Sequence, residues 1–199
     1  LEGDKTFASL APGAKVAVIY AKEETGEISA FIVDTSSKGF IIGNPLEMMG
    51  LRGSGTCPLS LEKVRVPKEN LLGEKGQGYS ILLLSINVGQ LGICAESIGT
   101  AQAALEMSLD YVDKHPVRGK TMLQLPTIQS YLGEMASRIE AARWLTYRTA
   151  AIKDEGKSIR KDVAMAKLIA SQMVVDVTNM SMQIHGSYGY TKDLEVERL

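Results

Sequence analysis

The sequence predicts an α+β chain: a small antiparallel β barrel or sandwich portion followed by an antiparallel up-down helical bundle. β-branched and aromatic runs, with glycine or proline in every gap, fill residues 1–68. After Gln77 the apolar residues instead recur at steps of three and four. Three stripes of that spacing follow one another across short breaks, as in long helices packed nearly antiparallel.

"AKVAVIYAK" and "ISAFIVD" are short and β-branched, and the polar "EETGE" between them reads as a hairpin. "GFIIGN" and "LSLEKVRVP" continue the strands, the second through alternation of Val64 and Val66 with Lys63 and Arg65. "GEKGQGYSILLLS" predicts a shorter helix ahead of the bundle. The first long stripe is Leu91, Ala95, Ile98, Gln102, Leu105, Leu109 and Val112. The second is Ile128, Leu132, Met135, Ile139, Ala142 and Thr146; the third is Val163, Ala166, Ala170, Met173, Val177, Met180 and Ile184. Pro116 and Gly119 break the chain between the first two, and "KDEGKS" turns it before the third, with Ser158 as N-cap. The expected domains are residues 1–70, the C-terminal part of a β domain, and 71–199, a helical bundle truncated at its end.

The 199 residues are 45% hydrophobic and 23% charged, with a formal net charge of −1. That balance gives no reason to expect nucleic acid or an acidic membrane as partner. No apolar run is expected to reach the roughly 18 residues of a membrane span. Cys57 and Cys94 are too few for a disulfide framework, and a reducing compartment is the default. Two histidines exclude a histidine-rich metal site, and no Ser-His-Asp arrangement, HExxH or CxxC motif is present. The chain opens at Leu1 and stops at "EVERL" without a cap, so it reads as a piece of something longer.

Three stretches admit a functional reading beside a purely structural one. "GEKGQG" (73–78) is either a phosphate cradle or, with better support, a turn and helix start. In "QIHGSYGY" (183–190), Gly186 as a left-handed C′ residue and Gly189 in the following turn explain the glycines but not Gln183. A large flat or phosphorylated ligand across the helix end explains both. In "KTFAS" (5–9), Phe7 and Ser9 point the same way if the segment is a strand; the alternative is a core phenylalanine and a loop serine.

Taken in order, "LEGDKTFAS", "AKVAVIYAK", "ISAFIVD", "MGLRGSGTCPLSLEKVRVPKENLLGEKGQGY", "ESIGTAQAALEMSLDY", "IEAARWLTYRTAAI", "AMAKLIAS" and "QIHGSYGYTKDLEVERL" resemble successive landmarks of the acyl-CoA dehydrogenase family. The resemblance implies the end of a middle β domain and most of a C-terminal four-helix domain. It implies α,β-dehydrogenation of an acyl-CoA thioester, with FAD as cofactor, an electron-transfer flavoprotein as acceptor, and a homo-oligomer built as a dimer of dimers. The expected location is then the bacterial cytoplasm or the mitochondrial matrix. By the same resemblance Phe7 packs near the flavin ring and Ser9 hydrogen-bonds near flavin N5. Gln183, Gly186 and Ser187 contact FAD across a subunit interface, and Asn87 and Gln90 lie on the helix that lines the acyl-CoA cavity.

Several positions depart from the family pattern. His115 stands where an arginine usually reaches the FAD pyrophosphate, and Arg118 where an aromatic follows it, so either Arg118 takes over the phosphate charge or FAD is held less tightly. Ser187 replaces a glycine, Leu10 an asparagine and Gln90 an arginine. No catalytic residue is assigned in this chain. The base is a glutamate expected beyond Leu199; the other position some relatives use is Gly89, and Glu96 lies about 10 Å further along the helix as a surface carboxylate. A non-catalytic partner subunit and an acyl-CoA oxidase are the alternative functions on the same scaffold.

Overall fold

A computed structural model describes residues 1–117 and 119–199. They form two compact units, Leu1–Ser85 and Ile86–Leu199.

In the first unit, β1 (Gly3–Ala8), β2 (Val16–Lys22), β3 (Ile28–Asp34), β4 (Phe40–Ile42), β5 (Cys57–Leu61) and β6 (Leu71–Leu72) make two three-stranded antiparallel sheets, ordered β1-β5-β4 and β2-β3-β6. The "EETGE" turn closes the β2–β3 hairpin, which stays in register from Val16 opposite Asp34 to Lys22 opposite Ile28. Val33, Leu61 and Val64 are buried together, with Ile19, Phe31 and Phe40 packed on them, so both sheets contribute to one core. Period-two burial is clean in β5, where Cys57, Leu59 and Leu61 are buried and Pro58 and Ser60 are not.

The alternation after Leu61 does not make a strand. Lys63 sits at φ 52 and turns the chain out of the extended region. Val64 is buried all the same, packed with Val33 and Leu61, and its N–H donates to Leu1 O at 2.9 Å. The glycine-rich segment 73–78 is tied to the sheet. The Gly76 N–H donates to Ser29 Oγ at 2.9 Å, Ser29 Oγ donates to Glu23, and Lys75 Nζ pairs with Glu23 at 2.7 Å. A Cβ on Gly78 would lie 2.6 Å from the Ser29 carbonyl carbon, so this glycine is required by close packing. These contacts make 73–78 a turn and a helix start.

The second unit is built from three helices: α1 (Gly78–Lys114, which begins in the first unit), α2 (Pro126–Asp154) and α3 (Arg160–Gly189). The separate short helix expected at residues 73–85 is instead the start of α1. No proline interrupts it, and the single glycines Gly89, Gly92 and Gly99 are absorbed within the helix. A two-stranded hairpin, β7 (Pro116–Val117) and β8 (Lys120–Thr121), separates α1 from α2.

All six residues of the second stripe are buried, and all of the third except the half-buried Met180. The first stripe is partly misplaced. Ile98, Leu105 and Val112 are buried, but Ala95 and Leu109 are exposed while Cys94, Ala101, Ala104 and Ser108 are buried. Small residues hold the contact face here, so a stripe weighted by size drifts off it. Ser108 Oγ and Ser181 Oγ lie 2.8 Å apart, and each donates to Ala104 O in one arrangement of their protons. Ser158 does not cap α3; that position belongs to Ile159, which is buried and makes no side-chain cap bond.

Contrary to expectation, an apolar segment of membrane-spanning length is present. Residues 76–95 carry no charged side chain, and α1 holds an 18-residue window of mean hydropathy 1.6 that is only 17% buried. By length and composition alone α1 is apolar enough to cross a membrane. Cys94 and Cys57 are both fully buried, one thiol in each unit, and burial pushes the Cys94 thiol above its ordinary range.

Candidate functional site

The end of β1 is irregular. Its register against β5 shifts between Lys5 and Ala8, and Phe7 (φ 59) and Leu10 (φ 62) are left-handed. That conformation costs a non-glycine residue roughly 1–2 kcal/mol. A second turn faces it, in which Leu51 (φ 49) and Gly55 (φ 54) bracket Arg52–Ser54. The two are joined by Leu10 N–H donating to Ser54 O at 2.7 Å and by a chain of hydroxyls. In that chain Ser9 Oγ lies 3.0 Å from Thr56 Oγ1, which lies 2.9 Å from Ser54 Oγ.

Among the described residues, three of the four non-glycine residues at positive φ belong to these two turns. Phe7 is 66% exposed and Leu10 68% exposed, and Ser9 is exposed between them. The structural alternative of a core phenylalanine therefore fails. So does the argument that Phe7 and Ser9 share a strand face, because Phe7 sits at the bulge and Ser9 lies past the strand's end.

The end of α3 is irregular for a different reason. Gly186 has φ 59 and ψ −141, a region essentially restricted to glycine, and the helix breaks there before one more turn runs to Gly189. The expected C′ glycine thus has a positive φ but is not a left-handed cap, and Gly189 closes the helix instead of lying in a following turn. Gln183, Gly186 and Ser187 are exposed, whereas Ile184 and His185 are buried.

His115, exposed just past α1, joins this region through an aromatic stack. Its ring lies 3.9 Å from that of Tyr111 at an interplanar angle of 16°, and Tyr111 lies 4.3 Å from His185. Nδ1 of His115 is 2.8 Å from Tyr111 O, and Nδ1 of His185 is 2.8 Å from Ser181 O. A carbonyl can only accept, so each Nδ1 carries a proton and Nε2 is the free position. Asp110, Glu195, Tyr111 and both histidines line a cavity of about 250 Å³. Tyr111 and His185 were not anticipated as site residues. The Tyr111–His115 spacing of four was a usable sign; nothing in the sequence pairs Tyr111 with His185.

Asn87 and Gln90 lie about one turn apart on α1, both half-buried; Gly89 and Glu96 are exposed on the same helix. Phe7 and Ser9 belong to the first unit, and the remaining candidates to the second. Arg118 lies outside the described residues.

Comparison with known proteins agrees with the order of these elements. The family model for the acyl-CoA dehydrogenase middle domain matches residues 1–64, and that for the C-terminal domain matches residues 76–199. The caffeyl-CoA reductase-Etf complex subunit CarC of Acetobacterium woodii is 41% identical over all of this chain and 54% of its own length. The mitochondrial short-chain specific acyl-CoA dehydrogenase of Bos taurus is 37% identical over all of this chain and 49% of its own. Butyryl-CoA dehydrogenase from Megasphaera elsdenii superposes with a TM-score of 0.96 at 36% identity, covering 100% of this chain and 53% of that one. The chain spans about half the length of the curated relatives it matches. With two family models covering nearly every residue in the expected order, the chain belongs to the acyl-CoA dehydrogenase family.

Proposed function

We propose that this chain is part of a FAD-dependent acyl-CoA dehydrogenase that acts on the α,β bond of an acyl-CoA thioester and passes electrons to an electron-transfer flavoprotein. The observation that carries the reading is the exposed, backbone-strained Phe7 beside an exposed Ser9 hydroxyl, in a member of this family. A large aromatic held out of the core by an unfavourable backbone fits a flat ring system better than it fits water. When bound, FAD supplies the hydride acceptor; the protein supplies position and polarity. Phe7 covers one part of the ring and Ser9 donates a hydrogen bond to it. Gln183, Ser187 and the exposed backbone at Gly186 fit the remainder of the dinucleotide, from a neighbouring subunit.

His115 fits a phosphate conditionally. Its Nδ1 proton is committed to Tyr111 O, so only the imidazolium can also donate from Nε2. Asn87 and Gln90 line the acyl-CoA cavity. Homo-oligomerisation, as a dimer of dimers, covers the apolar side chains that α1 leaves exposed, among them Leu84, Val88 and Ile93. The bacterial cytoplasm or the mitochondrial matrix is the compartment in keeping with these partners.

The full polypeptide, purified with FAD, is expected to be yellow and to bleach on addition of its acyl-CoA. A protein that stays colourless after reconstitution overturns the assignment. The 41% identity to a subunit named as a reductase favours a second reading, in which electrons run in the opposite direction. Reoxidation of the reduced protein by an enoyl-CoA faster than bleaching by the acyl-CoA supports it. The departures at Leu10, Gln90, His115 and Ser187 motivate a third, a non-catalytic partner subunit; loss of activity in F7A or Q183A counts against it.

A further inference from the structure

We propose that Thr56 is a positioning residue, a buried hydroxyl that works with Ser54 to aim the Ser9 hydroxyl. The inference rests on the reading above in which Ser9 faces FAD. Thr56 is only 4% exposed, and its Oγ1 is shared between Ser9 Oγ at 3.0 Å and Ser54 Oγ at 2.9 Å. Each hydroxyl has one proton, so the chain has two coherent settings. In one, Ser54 donates to Thr56 and Thr56 to Ser9, which frees the Ser9 proton for a ligand. In the other every bond is reversed, and Ser9 offers only lone pairs outward.

The heavy atoms need not move between the two settings. The Leu10 N–H to Ser54 O bond at 2.7 Å already fixes one turn on the other. Leu10 and Leu51, both left-handed, store backbone strain on either side of the hydroxyl chain, as expected of a segment held in place for a ligand and not for packing. A hydroxyl that can switch from donor to acceptor suits a ring nitrogen that accepts in one oxidation state and carries N–H in the other. Thr56 thereby adjusts the balance between those states without touching the ring. A buried threonine that merely satisfies its own hydroxyl would have no such effect.

The test uses the full polypeptide loaded with FAD and the variants S9A, T56V, T56S, S54A, S9A/T56V and S9A/S54A. Redox titration gives the equilibrium constant for flavin reduction, and the visible absorption band gives a second readout independent of turnover. T56V is expected to move both in the same direction as S9A, by about fivefold in the constant, the effect of one hydrogen bond. T56S should restore the parent values, S54A should shift them less, and S9A/T56V should match S9A. The inference is overturned if S9A moves the readouts while T56V does not, or if the T56V shift persists undiminished on the S9A background. If S9A moves neither readout with FAD bound, the assignment of Ser9 to the flavin falls first and this inference with it. Should T56V not fold, S54A decides: its shift must be present on the parent background and absent on S9A.

Discussion

The ends of β1 and α3 present polar groups on irregular backbone by opposite means. At the end of β1, bulky Phe7 and Leu10 are held at positive φ, and a second turn braces them through one backbone bond and three hydroxyls. At the end of α3, Gly186 takes a conformation other residues avoid, and beyond its chain neighbours and the helix's own backbone nothing lies within 4 Å of where its Cβ would be. Strain is stored in the first and avoided in the second. The first keeps a side chain it needs, Phe7; the second needs only exposed backbone. Replacing the key residue should therefore act with opposite sign at the two places.

The largest expected effect is that of G186A. With open space around the Cβ, the substitution fails through backbone strain and not through collision, costing about 1–3 kcal/mol. Thermal melting should show the loss, and flavin retention during gel filtration of the full polypeptide should fall with it. F7G should go the other way, stabilising the fold by about 1 kcal/mol through relief of the left-handed backbone while lowering flavin retention. If F7G melts lower than the parent, Phe7 is a packing residue and the contrast disappears.

The smallest effect concerns the tether between the glycine-rich turn and the sheet. Lys75 and then Ser29, both bonded to Glu23, hold its carboxyl below the ordinary range. The stabilisation is complete above the unfolded value of about 4.3 and is lost as pH falls through the lowered folded value. E23Q should therefore melt below the parent at pH 7, with the gap closing under acid conditions. A gap independent of pH would assign the effect to geometry instead of charge.

The stripes of α2 and α3 were legible in the sequence because large apolar residues mark their buried faces. The face of α1 was less so, since Ala101, Ala104 and Ser108 define it and its exposed side is also apolar. Strand periodicity placed β2, β3 and β4, yet failed at Phe7 and Lys63, where single residues leave the extended region with no glycine to announce it. "QIHGSYGY" did mark an irregular helix end, but its buried ring, His185, was overlooked because burial against Tyr111 follows from helix packing alone. The hydroxyl chain was invisible for a similar reason: 47 residues separate Ser9 from Thr56, and only sheet pairing brings them together.

The distribution of cysteine has a practical consequence. Cys57 and Cys94 are the chain's two free thiols, one per unit and both sealed from solvent. An alkylating reagent can reach either only when the surrounding structure opens, so the two modification rates under native conditions time the opening of each unit separately. The protein thus carries its own pair of clocks, and mass spectrometry can tell which part yields first without any added label.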